Sequence, residues 1–194
     1  MGPFPLLHPL LAALTTLTST PAAGGLELSA GVFAARPSAL EVGQLLGPAV
    51  AACWHLRPWS LGLSAQLGMD AQSDPSWLVR HTELRLSLHL ALLAAVGRGA
   101  IGGAVRAGGI GLFESRTRHD AARLEEAGLL SGSGGFGLGL VLGVDATIRL
   151  AFYERTSVVL DAGPSLLWTS VAGQIRTRLG WQGTVSVAYA LFGD

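Results

Sequence analysis

From Glu83 to Leu92 the chain alternates without a break: Leu84, Leu86, Leu88, Leu90 and Leu92 fall between Glu83, Arg85, Ser87, His89 and Ala91. A helix would scatter five such leucines around its circumference, whereas a strand collects them on one side. The pattern recurs from Leu138 to Phe152. There Leu138, Leu140, Leu142, Val144, Ala146, Ile148, Leu150 and Phe152 alternate with Gly139, Val141, Gly143, Asp145, Thr147, Arg149 and Ala151. Leu61, Leu63, Ala65, Leu67 and Met69 form a third such row, and Leu179, Trp181, Val185, Val187, Tyr189 and Leu191 a fourth.

These clear rows place weaker ones by spacing. Strands are expected at 26–36, 47–57, 59–70, 82–96, 100–114, 137–152, 156–169 and 177–191. Each is at least about as long as the 9 to 11 residues a tilted strand needs to cross a bilayer. The connections alternate in length. Arg57-Pro58-Trp59, Gly97-Arg98-Gly99 and Tyr153-Glu154-Arg155 are short, whereas 37–46, 71–81 and 115–136 are long and 170–176 is intermediate. Short turns at one rim and longer loops at the other characterise outer-membrane barrels.

Alternation does not say which face points outward, and composition decides it. Of 194 residues, 49% are apolar and 13% charged, 27 are glycine, and all 13 basic residues are arginine. A soluble eight-stranded barrel would turn the apolar row inward around a ligand. Its water-facing wall would then consist of Gly, Ala, Ser and a few charges, where a solvated surface carries about twice this charge. Turned outward, the apolar row meets lipid, and the small polar row fills a lumen barely wide enough for side chains. Closure also satisfies every backbone group without water, as hydrocarbon demands. The expected fold is therefore all-β: an eight-stranded antiparallel up-and-down transmembrane barrel. The 13 basic residues balance 13 acidic ones, which leaves no footprint for nucleic acid. A single cysteine, Cys53, excludes an intrachain disulfide framework and a thiolate zinc cluster. Nothing in the chain calls for a metal or other cofactor.

Residues 1–23 lack any Asp, Glu, Lys or Arg. Their apolar run, Leu6 to Leu17, leads into Thr18-Ser19-Thr20-Pro21-Ala22-Ala23-Gly24. Small residues there suit signal-peptidase cleavage after Ala22 or Gly24, and Pro3, Pro5 and Pro9 break the stretch too often for a membrane span. The expected organisation is a signal peptide over 1–23 and a barrel domain over 24–194, which leaves no room for a periplasmic domain.

Aromatic residues gather where such a wall would meet the two bilayer interfaces. Trp59 sits at a short turn, Phe152 and Tyr153 at another, Trp77 and Trp168 toward the long-loop rim, and Trp181 and Tyr189 in the last row. With that row of Val185, Val187, Tyr189 and Leu191, the pattern over 26–191 resembles the small eight-stranded outer-membrane barrels of Gram-negative bacteria, the outer-membrane protein A and X type. The resemblance implies residence in the cell outer membrane, contact with its lipid and lipopolysaccharide, insertion by the barrel assembly machinery and a monomeric state. The family's closing aromatic signal is only approximated, because the chain ends Phe192-Gly193-Asp194.

The polar face holds Glu83, Arg85, His89, Arg106, Asp145, Arg149, Asp161 and Arg178, with His89, Arg106, Asp145 and Asp161 toward the middle. Opposite charges in a narrow lumen are expected to pair, since an unpaired buried ion costs several kcal/mol. Such a network either plugs the barrel, leaving a scaffold that displays loops, or lines a narrow polar channel. A lipid-modifying enzyme is the weakest reading: His55 and His89 share the inward face with Ser87 and Ser165, and no Ser-His-acid set faces lipid. His81 and His119 are expected in loops. The mixed-charge stretch Arg116 to Leu130, whose spacing allows a helical turn, is the candidate surface contact.

Overall fold

The computed structural model describes residues 25–37, 44–56, 58–73, 77–118, 132–171 and 174–192. Eight strands, β1 (Leu26–Pro37), β2 (Leu45–Leu56), β3 (Trp59–Ser73), β4 (Trp77–Val96), β5 (Gly99–Arg118), β6 (Gly132–Tyr153), β7 (Thr156–Val171) and β8 (Gln174–Phe192), pair in chain order and close into one barrel. Every pairing is antiparallel, including the closing one between β1 and β8.

The stagger can be read from the register. Glu27 faces Cys53, and successive partners are Gly62, His89, Arg106, Gly143, Ser165, Gly180 and finally Pro37. One circuit thus climbs ten residues along β1, from Glu27 to Pro37. With strands about 4.8 Å apart and a rise of about 3.3 Å per residue, that shear tilts the strands by about 40° and sets a backbone radius of about 8 Å.

The leucine-rich rows face outward as the alternation requires: Leu88, Val105, Leu138, Leu140, Val144 and Val187 are all exposed. Inside, the same strands bury Glu27, His55, Ser64, Gln66, Arg85, Ser87, Arg106, Asp145, Thr147 and Arg149. A polar interior inside an apolar exterior is the reverse of a water-soluble domain.

At the short rim, Gly97 adopts φ 57°, the left-handed conformation that two-residue hairpin turns favour. The rim is tied together where Leu93, Ala151 and Ala190 donate their N–H to the carbonyls of Pro58, Arg98 and Arg155. At the far rim the expectation needs correction. The connections read as 71–81 and 170–176 shrink to 74–76 and 172–173, because β3 and β4 continue to Ser73 and from Trp77, and β7 and β8 to Val171 and from Gln174. Likewise β5 continues through Arg118 and β6 begins at Gly132, so Arg116 to Arg118 is strand rather than loop. The physical reason is that a wall rising past the bilayer has no need of an apolar outer face, so alternation fades while backbone pairing persists. His81 accordingly lies in β4, its Nδ1 3.5 Å from Glu114 Oε2. Residues 1–23, read above as a signal peptide, His119 and the remainder of the stretch to Leu130 lie outside the described residues.

Candidate functional site in the barrel lumen

The lumen is filled in tiers. Nearest the short rim, Arg149 of β6 reaches across to Glu27 of β1 and donates to its carboxylate. His55 of β2 completes the group, with Nε2 3.3 Å from Arg149 Nη1 and 3.7 Å from Glu27 Oε2. Three strands from opposite sides of the wall are tied by side chains 94 and 122 residues apart in sequence.

At mid-height Arg106 Nη1 donates to Asp145 Oδ2 at 2.7 Å. Asp161 accepts from the Thr147 hydroxyl at 2.6 Å rather than from an arginine, and His89 Nε2 lies 3.7 Å from Cys53 Sγ. Small residues make room for the large ones here. A Cβ on Gly62 would strike the His89 ring, and one on Gly143 would strike the Arg106 guanidinium. Alternating large and small residues on facing positions is how a narrow barrel fills without strain.

Farther from the short rim, Arg85 of β4 pairs with Glu83 on its own strand and crosses the lumen to Gln182 Oε1 of β8 at 2.7 Å. Its guanidinium lies 5.0 Å over the Phe33 ring, and Gln66 Nε2 reaches Thr184 Oγ1 at 3.4 Å. An apolar layer completes the filling toward the long rim, with Phe33, Ala35 and Leu45 on one side and Ile110, Val141 and Leu167 on the other. Arg178 stands half-buried beside Leu167 at that mouth.

The structure therefore brings together four of the eight expected lumen charges as two direct pairs, Glu83 with Arg85 and Arg106 with Asp145. Arg149 pairs with Glu27, which sequence reasoning did not single out although its alternation with Ser29 and Gly31 pointed it inward. The cross-lumen acceptors Gln182 and Thr184 and the apolar layer were also missed, because uncharged inner positions carry no ionic signal. Between the tiers lies a cavity of about 90 Å³ edged by Ser64, Gln66, His89, Arg106, Asp145 and Asp161, among others. Among the described residues, Gln66 Oε1, Arg106 Nε and Nη2, Asp145 Oδ1 and Arg149 Nε have no hydrogen-bond partner. A polar pocket of that size with both donors and acceptors suits ordered water.

On the outer wall, Trp59, Tyr189, Phe152 and Tyr153 are exposed at the short rim. Trp54, which was not singled out, joins them opposite Leu26. Trp181 is exposed and Trp168 half-buried toward the other interface. Trp77 opens β4 opposite Arg118, at the tall end of the wall.

No family model and no curated protein matches the sequence. Among solved structures, Ail, the attachment invasion locus protein of Yersinia pestis, aligns with TM-score 0.56 and 9% identity over 87% of this chain and 99% of that one. The structure of Ail in complex with the heparin analogue sucrose octasulfate aligns with TM-score 0.50 and 10% identity, over 87% and 99%. Neisserial surface protein A covers 85% of this chain and 96% of its own at 13% identity, with TM-score 0.47. At such identities the likeness is one of fold. The chain has the fold of the small eight-stranded outer-membrane barrels of Gram-negative bacteria, and the cell outer membrane is the setting that its apolar exterior fits.

Proposed function

We propose that this protein is a plugged outer-membrane scaffold whose work is done by the part of the wall standing beyond the bilayer. The observation that carries the reading is the filled lumen. Side-chain bridges from β4 to β8 and from β6 to β1 and β2 cross it, and an apolar layer lies toward the long rim. Strands β4, β5 and β6, with 20, 20 and 22 residues, exceed by about twofold the 9 to 11 that a bilayer requires. Their surplus carries the paired ends of β5 and β6, at Arg118 and Gly132, past the apolar belt. On this reading the chain is exported with its leader removed after Ala22 or Gly24, is inserted by the barrel assembly machinery, and stands as a monomer among lipid and lipopolysaccharide. It is assigned no catalysis: His55 is engaged by Glu27 and Arg149 in the lumen, and His81 by Glu114 at the rim.

The test is planar-bilayer recording on the refolded mature chain, after boiled and unboiled gel mobility has established closure. The scaffold reading expects no resolved single-channel steps. Steady ohmic steps in the wild type, altered in size by Arg106→Ala, would replace it with a narrow-channel function.

A further inference from the structure

One proline of the wall, Pro164, lies beside Arg106, a lumen cation that pairs with Asp145 through Nη1 and whose Nε and Nη2 have no partner among the described residues. On the β6–β7 seam Gly143 pairs with Ser165 and Ala146 with Ala162, but Val144 and Asp145 between them have no partner on β7. Opposite Val144 stands Pro164, which pairs with Trp181 on its other side. Proline has no N–H, so β7 offers the Val144 carbonyl no hydrogen bond. Val144 lies four residues along β6 from Leu140, the partner of Trp168, and nine from Tyr153, which places it inside the apolar belt. A carbonyl left without a donor at that depth costs several kcal/mol, and no bulk water is there to serve it.

Both sides of the wall are shaped at this point. Outside, a groove of about 630 Å³ runs over the seam between Leu142, Val144, Pro164 and Leu166, with Ala107 in its lining. His89 and Arg106 line both this groove and the lumen cavity. Arg106 is 5% exposed, and its Nε and Nη2 have no partner among the described residues. Gly143 is what brings it so near, because any side chain there would occupy the place of the guanidinium. Groove and cation are separated by one thickness of backbone.

We propose that the seam at Val144 and Pro164 is a lateral binding site, reached from the bilayer, for a small apolar molecule carrying one hydroxyl: an apolar alcohol or phenol. The apolar body lies in the groove. The hydroxyl donates to the Val144 carbonyl and accepts from Arg106 Nη2 where the wall yields at the missing bond. A carboxylate would serve the arginine and leave the carbonyl unmet, and a hydrocarbon would serve neither.

The experiment titrates 4-ethylphenol, 4-ethylbenzoate and ethylbenzene separately into the refolded, isotope-labelled chain in detergent micelles. It follows the Gly143, Val144 and Ser165 amides and the Arg106 Nε–H by NMR. The phenol is expected to shift these signals saturably, with a Kd about tenfold below that of ethylbenzene, the value of one or two net hydrogen bonds. Pro164→Ala returns an N–H to the carbonyl and is expected to weaken the phenol about tenfold while keeping the heat-modifiable fold. Ala107→Leu, which fills the groove and leaves the ladder alone, is expected to weaken all three probes. Shifts spread evenly over the lipid-facing wall, or unchanged phenol binding in both variants, would overturn the site. Tighter binding of the benzoate than of the phenol would overturn the hydroxyl assignment.

Discussion

Removing Arg149 tests the lumen most directly. Its guanidinium pairs with Glu27 and lies 3.3 Å from His55 Nε2, and the side chains of Arg149 and Glu27 are only 8% and 6% exposed. Arg149→Met keeps most of the volume and removes the charge. Glu27 is then left with His55 at 3.7 Å as its one close ionic neighbour among the described residues. Breaking a buried pair from one side costs about 3 to 5 kcal/mol, because the remaining ion keeps its desolvation penalty without compensation. Removing both charges in Glu27→Gln/Arg149→Met abolishes that penalty and is expected to cost about 1 kcal/mol or less. The measurement is urea unfolding of the micelle-embedded chain followed by tryptophan fluorescence, with each midpoint converted through its own slope. The expected order is wild type and double variant close together, with the single variant well below both. If single and double variants unfold within about 1 kcal/mol of each other, water from the adjacent cavity is satisfying Glu27, and the plug is looser than these contacts imply.

Three further outcomes follow from the wall. Val105→Arg or Leu142→Arg, on the exposed face within the belt, should lower unfolding free energy by about 2 to 4 kcal/mol in bilayers, whereas Ala104→Ser on the lumen face should change it far less. Gly143→Val should displace Arg106 from Asp145, read as loss of the heat-modifiable band or a fall in urea midpoint, and Gly143→Ala should do the same more mildly. His81→Ala, which removes a rim pair with Glu114 at 3.5 Å, should cost less than about 1 kcal/mol, and the loss should shrink in high salt.

Much of this molecule is written in period two, and the limits of legibility follow from what produces that period. Within the bilayer one face must be apolar and the other must pack a narrow polar lumen, so Leu84 to Leu92 and Leu138 to Leu150 declare both strand and face. Above the bilayer the outer face is released from that demand. Ala71 to Ser73, Trp77 to His81 and Gly132 to Phe136 lose the alternation, yet they keep their pairing in the hairpins. Parity also assigned Arg85, Arg106, Asp145 and Arg149 to the lumen, but it could not choose their partners. Arg149 takes Glu27 from the far wall, and that choice depends on stagger, which no single strand records. The inward Phe33, Leu45 and Val141 were masked for a related reason: an apolar residue at an inner position reads as noise in an alternating row until the lumen's far end is seen to need an apolar layer.

Stagger is thus the quantity that converts two readable faces into a function. A circuit that climbs from Glu27 to Pro37 tilts the strands by about 40° and leaves a backbone radius of about 8 Å. At that radius an arginine from one wall spans to the other, as Arg85 does to Gln182 and Arg149 to Glu27. Where two large groups would meet on adjacent strands, one must yield, and Gly62 beneath His89 and Gly143 beneath Arg106 are those concessions. The same glycine that lets Arg106 close the axial path also thins the wall beside Pro164. A barrel of this girth, plugged along its axis by side chains that glycines admit, is weakest sideways. Exchange of the Val144 and Ala146 amides with deuterated solvent from the lumen side should therefore outpace that of Gly103 and Ala104 at similar height on the uninterrupted β5 wall. Equal protection across the two would show that the seam holds despite the missing bond.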